Sequence, residues 1–263
     1  MATITFDPQK LIGPLNELVK VQIPETSRAS LNEALFANRK RLQDEANRVF
    51  DRPVPFTTNS FLYDKAEIKE KQVVGRAFVR DDGPKGNAPS RYLDSQIRGG
   101  PAYQTRFPRA LLNTVVTQID GRRTQAKQRG TQMTPVLRKG SKVRINRYGN
   151  MSQGQYTQIL SSIKGGKSSA DFLEAGAVPF NSASNYFYLD DEALDHPFFR
   201  NRFTYPSKPG IYKAEVKGKQ QRFYRVMTEG RIPTYTGRFK FFDISEQTIT
   251  KEFVQRFQRR ILR

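Results

Sequence analysis

The chain lacks cysteine altogether, and its 263 residues include a single histidine. Without cysteine the protein forms no disulfide and no metal site with thiolate ligands. No segment approaches the roughly 18 consecutive apolar residues that a membrane-spanning helix requires. The first residues, MATITFDPQK, contain neither the basic region nor the apolar core of a secretory signal. The sequence therefore predicts a soluble protein that is made in the cytoplasm.

Acidic residues are the scarcer charge, because 25 Asp and Glu stand against 45 Lys and Arg, which gives a formal net charge of +20. A field of this sign attracts polyanions or acidic protein surfaces. Nucleic-acid binding, docking onto an acidic subunit and plain solubility are therefore alternative explanations of the charge. The mean hydropathy of -0.68 is polar, yet 19 Phe and 11 Tyr are enough to anchor a core. We expect folded modules with long polar excursions.

Acids are missing entirely from residues 121–170. The first half of this stretch, GRRTQAKQRGTQMTPVLRKGSK, predicts an extended arm that becomes ordered only against a partner. That partner is either a protein subunit or nucleic-acid phosphates, and Tyr148 and Tyr156 are aromatic residues suited to stacking on bases. The candidate partner-contacting residues are Arg122, Arg123, Lys127, Arg129, Arg138, Lys139, Lys142 and Arg144.

The most regular pattern covers residues 27–50, where apolar residues recur at helical spacing and only Asn38 interrupts the apolar face. Pro53 and Pro55 predict the end of this helix, because proline lacks a backbone N–H and disfavours the helical conformation of the residue before it. Residues 60–80 are rich in Val, Phe and Tyr and predict two strands. These features together favour a helix packed on a sheet.

The other elements complete an α+β fold. A helix from Asp7 to about Lys20, broken at Ile23–Pro24, predicts an N-terminal helical hairpin packed on a mixed or antiparallel sheet. Long basic excursions and a C-terminal helix follow. Further predicted elements are a helix at 88–98 capped by Gly99 and Gly100, helices near 107–116 and 152–164, a strand at 186–189 followed by irregular loop, a hairpin at 210–228, a strand at 237–244 and a last helix from about Glu246.

The expected domains are a helix-and-sheet body at 1–120, the basic arm at 121–147, and a segment at 148–263. This last segment contains a helix, the β-hairpin and the C-terminal helix, and it completes the same module or forms a second small one.

Three groups of residues are candidates for catalysis or metal binding, and each also has a simpler structural explanation. Glu215 and Lys217 stand two apart on a predicted strand, as in metal-dependent nucleases, with Asp190 or Asp191 as the further carboxylate. Alternating charges are also typical of a solvated strand face. The acidic group at 190–195 offers oxygen ligands to a divalent cation but has the composition of a solvated turn. His196 has no nucleophile motif beside it. We therefore assign no catalytic residue, metal site or cofactor.

Four short stretches carry a resemblance to a known family. They are Arg52-Pro53-Val54-Pro55-Phe56-Thr57 with Asn59-Ser60, Tyr92-Leu93-Asp94-Ser95-Gln96-Ile97-Arg98-Gly99-Gly100, Tyr148-Gly149-Asn150-Met151-Ser152-Gln153-Gly154-Gln155, and Arg238-Phe239-Lys240-Phe241-Phe242. Their order and spacing resemble those of tailed-bacteriophage virion proteins, namely the minor tail and tail-completion proteins of the head-to-tail junction. Residues 101–109 depart from the family pattern, which carries more basic residues after the double glycine.

The resemblance implies a non-enzymatic virion component that is assembled in the host cytoplasm and forms an oligomeric ring at the neck or upper tail, joining the capsid connector to the tail. The implied partners are connector or adaptor proteins, tail proteins and copies of the chain itself. Nonspecific contact with packaged DNA fits the same picture, and no membrane or cofactor is implied. The residues alone leave two alternatives open, a nucleic-acid-binding protein that grips phosphates through 121–147 and, more remotely, a metal-dependent nuclease.

Overall fold

A computed structural model of the chain describes residues 17–70, 72–83, 87–105, 108–111, 131–138, 140–164, 186–200, 203, 208–217 and 220–262. Helices and antiparallel sheets occur together, which confirms the α+β class. The chain forms two compact units. Unit 1 comprises Met1–Gly83, Ala88–Gly99 and Thr236–Arg263, and unit 2 comprises Pro84–Asn87 and Gly100–Tyr235. These units divide the chain differently from the expected segments 1–120, 121–147 and 148–263, because the C-terminal helix belongs to unit 1.

Unit 1 is built on helix α1, Ile23–Val49, which contains the pattern of the predicted long helix. Its fully buried side chains include Ala34, Leu35, Leu42 and Ala46, so the apolar face inferred from their spacing is the packed face. The helix ends at Val49, and Phe50 has extended backbone angles of φ -98° and ψ 137°. The end therefore falls just before the two prolines, as predicted.

The predicted break at Ile23–Pro24 is wrong. A π-helical turn, Leu18–Gln22, leads directly into α1, and the backbone N–H of Ile23 donates to the carbonyl oxygen of Leu18. Pro24 directly follows the π-helical turn, and its missing N–H leaves one hydrogen bond to that turn unmade without interrupting the helix. The helical path is thus continuous from Leu18 to Val49. The first arm of the predicted hairpin, residues 7–16, lies outside the described residues.

A short helix α2, Pro55–Thr58, precedes the two predicted strands, which are confirmed as β1, Phe61–Lys69, and β2, Gln72–Val79, paired antiparallel. This hairpin packs closely on α1 at Gly75. A Cβ added there would lie only 2.6 Å from Cδ1 of Leu35, so glycine allows the close approach of the strand to the helix.

Two further helices complete unit 1. Helix α3, Pro89–Ile97, is confirmed and is followed by Gly99 and Gly100 at positive φ (83° and 110°), as the predicted cap requires. The last helix begins at Phe241 rather than near Glu246. The predicted strand at 237–244 is wrong, because residues 236–240 form no strand. Instead, the backbone N–H groups of Arg238 and Phe239 both donate to the carbonyl oxygen of Gln96.

Unit 2 contains a four-stranded antiparallel sheet. The four strands are β4, Thr131–Pro135; β5, Tyr186–Leu189; β6, Gly210–Lys217; and β7, Gln220–Arg231. Their order in the sheet is β4-β7-β6-β5. The predicted strand at 186–189 and the predicted hairpin are confirmed. Two shorter strands, β3 (Gly100–Pro101) and β8 (Thr234–Tyr235), pair separately in the same unit.

Strand β4 corrects the prediction of an extended arm. It pairs with β7 from Thr131↔Arg231 to Pro135↔Met227, and Met133 is 1 % exposed. The strand was not predictable from its polar sequence, because few of its residues are apolar. Backbone hydrogen bonds to β7 and one large apolar side chain are enough to hold it at the sheet edge. Residues 121–130, the first part of the predicted arm, lie outside the described residues.

The two faces of this sheet carry separate clusters of buried residues. Helix α4, Gln153–Lys164, is confirmed and lies on one face, where Ile159 and Ile163 join a core with Met133, Tyr186 and Tyr188. The other face is covered by two short helices, α5 (Asp191–Asp195) and α6 (Pro197–Arg200). The prediction of irregular loop after 189 is therefore wrong for these two segments. Leu194 and Phe199 lie in the second core, with Phe187, Tyr212 and Phe223.

Helix α7, Phe241–Ile261, is the last of the described elements. Among the described residues, no helix combines the length and apolar character needed to cross a membrane. Residues 108–111 are helical, in agreement with a helix near 107–116, while the remainder of that predicted helix lies outside the described residues.

Candidate functional site

Two lysines converge on one carboxylate on the surface of unit 2. The ammonium nitrogen of Lys142 lies 2.8 Å from Oε2 of Glu215, and that of Lys213 lies 2.7 Å from Oε1. The Lys142 nitrogen also stands 4.8 Å from the centroid of the Tyr224 ring, within the range of a cation–π contact. We refer to Lys142, Lys213, Glu215 and Tyr224 as the lysine–glutamate cluster.

The sheet geometry explains how the cluster forms. Lys213 and Glu215 are alternate residues of β6 and therefore point to the same face. Tyr224 of β7 is the cross-strand partner of Lys213, which places its ring on that face too. Lys142 arrives from the segment after β4, so the cluster joins parts of the chain that are far apart in sequence.

The charges of the cluster are mutually stabilised. Burial by itself raises the pKa of Glu215, but hydrogen bonds from Lys142 and Lys213 outweigh burial and hold the pKa below its ordinary value of 4.5. The hydrogen bond to Glu215 in turn raises the pKa of Lys142 above 10.5. At neutral pH Glu215 is therefore ionised and Lys142 is protonated.

Gln155 holds the segment that carries Lys142. Its side chain is 1 % exposed, and its amide nitrogen donates to the carbonyl oxygen of Lys142 (2.7 Å) and to the hydroxyl of Tyr186 (3.1 Å). Its amide oxygen accepts from the backbone N–H of Arg144 at 2.6 Å. A buried glutamine with these bonds fixes the path of residues 142–144 against α4.

A tight turn with a basic and aromatic tip follows this segment. The side-chain oxygen of Asn146 accepts from the backbone N–H groups of Tyr148 and Asn150, and Gly149 has a φ of 79°. At the tip, the Arg147 guanidinium carbon lies 4.7 Å from the centroid of the Tyr148 ring. The turn thus presents an exposed arginine stacked on a tyrosine, an arrangement suited to phosphates and bases.

Most of the net positive charge belongs to unit 2, because it has fewer acidic residues. This unit holds 23 of the Lys and Arg residues and 9 of the Asp and Glu residues, a formal charge of +14, whereas unit 1 holds 22 and 16, a formal charge of +6. The two values together give the total of +20. The long-range field of the chain therefore comes mainly from unit 2.

The structure brings together only part of the predicted contact residues. Lys142 belongs to the lysine–glutamate cluster, and Arg144, two residues on, has its guanidinium bonded to the side-chain oxygen of Gln158. Arg138 is exposed in the segment after β4. The other predicted residues lie outside the described part of the chain: Arg122, Arg123, Lys127, Arg129 and Lys139.

Sequence reasoning missed Lys213 and Tyr224 as members of a site. The signal was present, because Lys213, Glu215 and Lys217 alternate along β6 and cross-strand pairing brings β7 residues beside them. The two interpretations of this alternation, a nuclease pair at Glu215 and Lys217 or a solvated strand face, both left Lys213 outside a site. Register alone would have placed Tyr224 next to Lys213, but no sequence rule would have brought Lys142, a predicted contact residue, beside Glu215.

Glu215 was also the candidate nuclease carboxylate. Its two carboxylate oxygens form ion pairs with Lys142 and Lys213 and do not face an open metal position. Within the described residues there is no group of three or more His, Asp or Glu side chains placed to hold a metal ion. The acidic segment 191–195 forms the short helix α5. This geometry gives the nuclease hypothesis no support.

Three of the four stretches that carry the family resemblance meet in unit 1. The hydroxyl groups of Thr57 and Tyr92 lie 2.9 Å apart, which joins the first stretch to the second. The guanidinium of Arg238 donates to the side-chain oxygen of Gln96 at 2.8 Å, which joins the second to the last. Phe239 is fully buried in a core with Leu42, Phe61 and Leu93. The third stretch, 148–155, forms the tight turn and the start of α4 in unit 2.

Comparison with protein-family models, with curated proteins and with solved structures gives no match for this chain.

Proposed function

We propose that the chain is a non-enzymatic structural protein of a tailed-bacteriophage virion, located at the head-tail junction or upper tail. In this proposal copies of the chain form an oligomeric ring that completes the tail or joins it to the capsid connector. The observation that carries the proposal is the meeting of three resemblance stretches around one core, through Thr57–Tyr92 and Gln96–Arg238. Contact between stretches that are far apart in sequence is what a common structural module requires of them.

The charge distribution fits the same role. Unit 2 carries a formal charge of +14, and a basic module is suited to acidic neighbouring subunits. In a ring, a patch on one subunit meets a different patch on the next subunit, so a basic surface of unit 2 would be matched there by an acidic surface of its neighbour. The virion partners are connector, adaptor or tail proteins and further copies of the chain.

Mass spectrometry of purified particles tests the proposal directly. The chain should be present in particles of the phage that encodes it, and a density map of the intact particle should contain it as a ring at the neck or upper tail. Deletion of its gene should give heads and tails that fail to join, as seen by electron microscopy. Particles that lack the chain, or normal particles after deletion, would refute the proposal.

A second candidate function is nonspecific nucleic-acid binding by unit 2. The observation that favours it is the pairing of cations with aromatic rings on one unit, Lys142 over Tyr224 and Arg147 over Tyr148. Lysine and arginine contact phosphates irrespective of sequence, and tyrosine rings stack on bases. Such contacts are expected with DNA packaged in the particle, so this candidate is compatible with the first.

A salt titration of DNA binding tests this second candidate. The logarithm of affinity should fall linearly with the logarithm of salt concentration, by about 0.9 for each phosphate contacted. Arg147→Gln should reduce that slope by about 1. Arg91→Gln removes the same charge from an exposed position on α3 in unit 1 and should leave the slope unchanged. Affinity that is absent at low salt, or independent of salt, excludes the candidate.

A further inference from the structure

Glu215 occupies an unusual position for a carboxylate on a basic surface. Each of its two oxygens takes a hydrogen bond from a different lysine, at 2.7 and 2.8 Å. The two ammonium groups therefore face the same small volume, from β6 and from the segment after β4. The Glu215 side chain remains 28 % exposed, so water and ligands reach this volume.

Two ammonium groups that converge on one oxyanion form a geometry that a phosphate also satisfies. A phosphodiester presents two oxygens that share one negative charge, and lysine is a common phosphate ligand because it acts as a compact point charge. The Tyr224 ring beside Lys142 adds a surface on which a base or sugar can pack. The carboxylate of Glu215 thus stands where a phosphate of bound nucleic acid fits.

We propose that Glu215 is an internal competitor for nucleic-acid phosphates, so that a phosphate displaces its carboxylate from between Lys142 and Lys213 on binding. The inference rests on the second candidate function above. While Glu215 holds the lysines, it positions both ammonium groups and lowers the affinity of the surface for polyanions. Binding then requires enough phosphate contacts elsewhere to compensate for the lost ion pairs.

Nucleic acid is favoured over an acidic protein as the ligand. A carboxylate from another protein and a phosphodiester each carry one negative charge, so the exchange at the two lysines is similar for both. A polynucleotide in addition releases condensed counterions along its backbone, which drives binding even where single contacts are weak. This release favours nucleic acid as the ligand that displaces Glu215.

The test measures binding of a fluorescent duplex and of a single strand of the same length to full-length variants at several salt concentrations. Glu215→Gln should raise the affinity roughly threefold to tenfold, since two lysines become available at surface ion-pair strength, and should steepen the salt slope by about 1 to 2. The control is Glu229→Gln on β7, which changes the net charge equally but lies at the other end of the strand, beside Tyr188.

Further variants separate folding from competition. In a Lys142→Gln/Lys213→Gln background, Glu215→Gln should give no gain, because the lysines that it frees are gone. Circular dichroism compares the fold of each variant with that of the unchanged chain. If Glu215→Gln disturbs the fold, Glu215→Ser provides the same loss of charge with a smaller side chain.

The outcomes are distinct. Equal gains for Glu215→Gln and Glu229→Gln overturn the competitor proposal while leaving nucleic-acid binding in place. No binding by any variant at low salt overturns the second candidate function and this inference with it. A gain of Glu215→Gln for poly-glutamate that equals its gain for DNA overturns the assignment of nucleic acid and indicates an acidic protein partner.

Discussion

The side-chain nitrogen of Asn38 donates a hydrogen bond to the hydroxyl oxygen of Ser245 at 3.2 Å, across 207 residues of sequence. Asn38 is a polar residue on the packed face of α1, and it is fully buried. Its partner lies in the first turns of α7, so the bond links the long helix to the C-terminal helix. Because this hydrogen bond forms in only one alignment of the two helices, it sets their register.

Loss of the Ser245 hydroxyl should destabilise unit 1. Ser245→Ala leaves the buried amide of Asn38 without its acceptor, which should cost about 1–3 kcal/mol in the free energy of unfolding. Asn38→Leu combined with Ser245→Ala should recover most of that loss, because two apolar side chains then face each other. Urea unfolding followed by circular dichroism measures both changes. The control is Thr250→Ala, an exposed position on α7, and a Ser245→Ala variant as stable as this control would refute the role of the pair.

Gly237 should tolerate no side chain. A Cβ at this position would lie 2.6 Å from the carbonyl oxygen of Ile97, and a backbone atom at the end of α3 yields less readily than a side chain. Gly237→Ala should therefore lower the free energy of unfolding by about 1–3 kcal/mol.

Gly154 offers the matched comparison for Gly237. It lies in α4, and a Cβ there meets nothing within 4 Å. Gly154→Ala should raise stability by up to about 1 kcal/mol through better helix propensity. Denaturant titrations of both variants measure these changes in the free energy of unfolding. Equal effects of the two substitutions would contradict the close approach at Gly237.

Stability should depend on pH through Glu33. Hydrogen bonds from Arg256 and Arg260 lower the pKa of Glu33 from its ordinary value of 4.5. Because the folded pKa lies below the unfolded one, this stabilisation is complete above the unfolded pKa and is lost as the pH falls through the folded pKa. Since water screens the half-exposed pair, the contribution should be no more than about 1 kcal/mol.

The variant Glu33→Gln isolates this contribution. Its deficit in the free energy of unfolding should be present at pH 7 and should disappear in strongly acidic solution. Glu246→Gln, an exposed substitution on α7, provides the control at each pH. A Glu33→Gln deficit that is the same at acidic and neutral pH would show that packing, rather than the ion pairs, is responsible.

Gln155 should control the order of the basic segment of unit 2. Gln155→Leu removes the hydrogen bonds to the carbonyl of Lys142, the N–H of Arg144 and the hydroxyl of Tyr186. The free energy of unfolding should fall by about 2–3 kcal/mol, because these groups lose partners that water replaces only in part. Hydrogen exchange of the Arg144 amide should accelerate. Gln153→Leu makes the same chemical change at an exposed site on α4 and should leave that exchange rate unchanged.

The local elements of unit 1 were largely predictable. The spacing of Leu35, Leu42 and Ala46 located the buried face of α1, and the prolines that follow located its end. Gly99 and Gly100 likewise marked the end of α3. Local signals failed at Pro24, because the helix continues through this proline directly after a π-helical turn. They failed also at 236–240, where contacts with Gln96 override the strand-like sequence.

The candidate site was less predictable than the fold. Charge composition pointed to the segment around Lys142, and alternation along β6 pointed to Glu215. The contact between Lys142 and Glu215 depends on the pairing of β4 with β7 and on the hydrogen bonds of Gln155 to the segment around Lys142. Both are contacts between residues that are not neighbours in sequence. A strand as polar as Thr131–Pro135 carries no periodic signal that would have revealed them.

By itself the sequence determined the α+β class, the long helix, the two hairpins and the excess of positive charge, because each follows from local periodicity, turn residues or composition. Only the tertiary structure decided which charges meet, that Lys142 and Lys213 share Glu215, and that the C-terminal helix closes unit 1 through Asn38 and Ser245. The physical reason is that hydrogen bonds and ion pairs act over a few ångströms, and residues come within that range only after distant parts of the chain have packed.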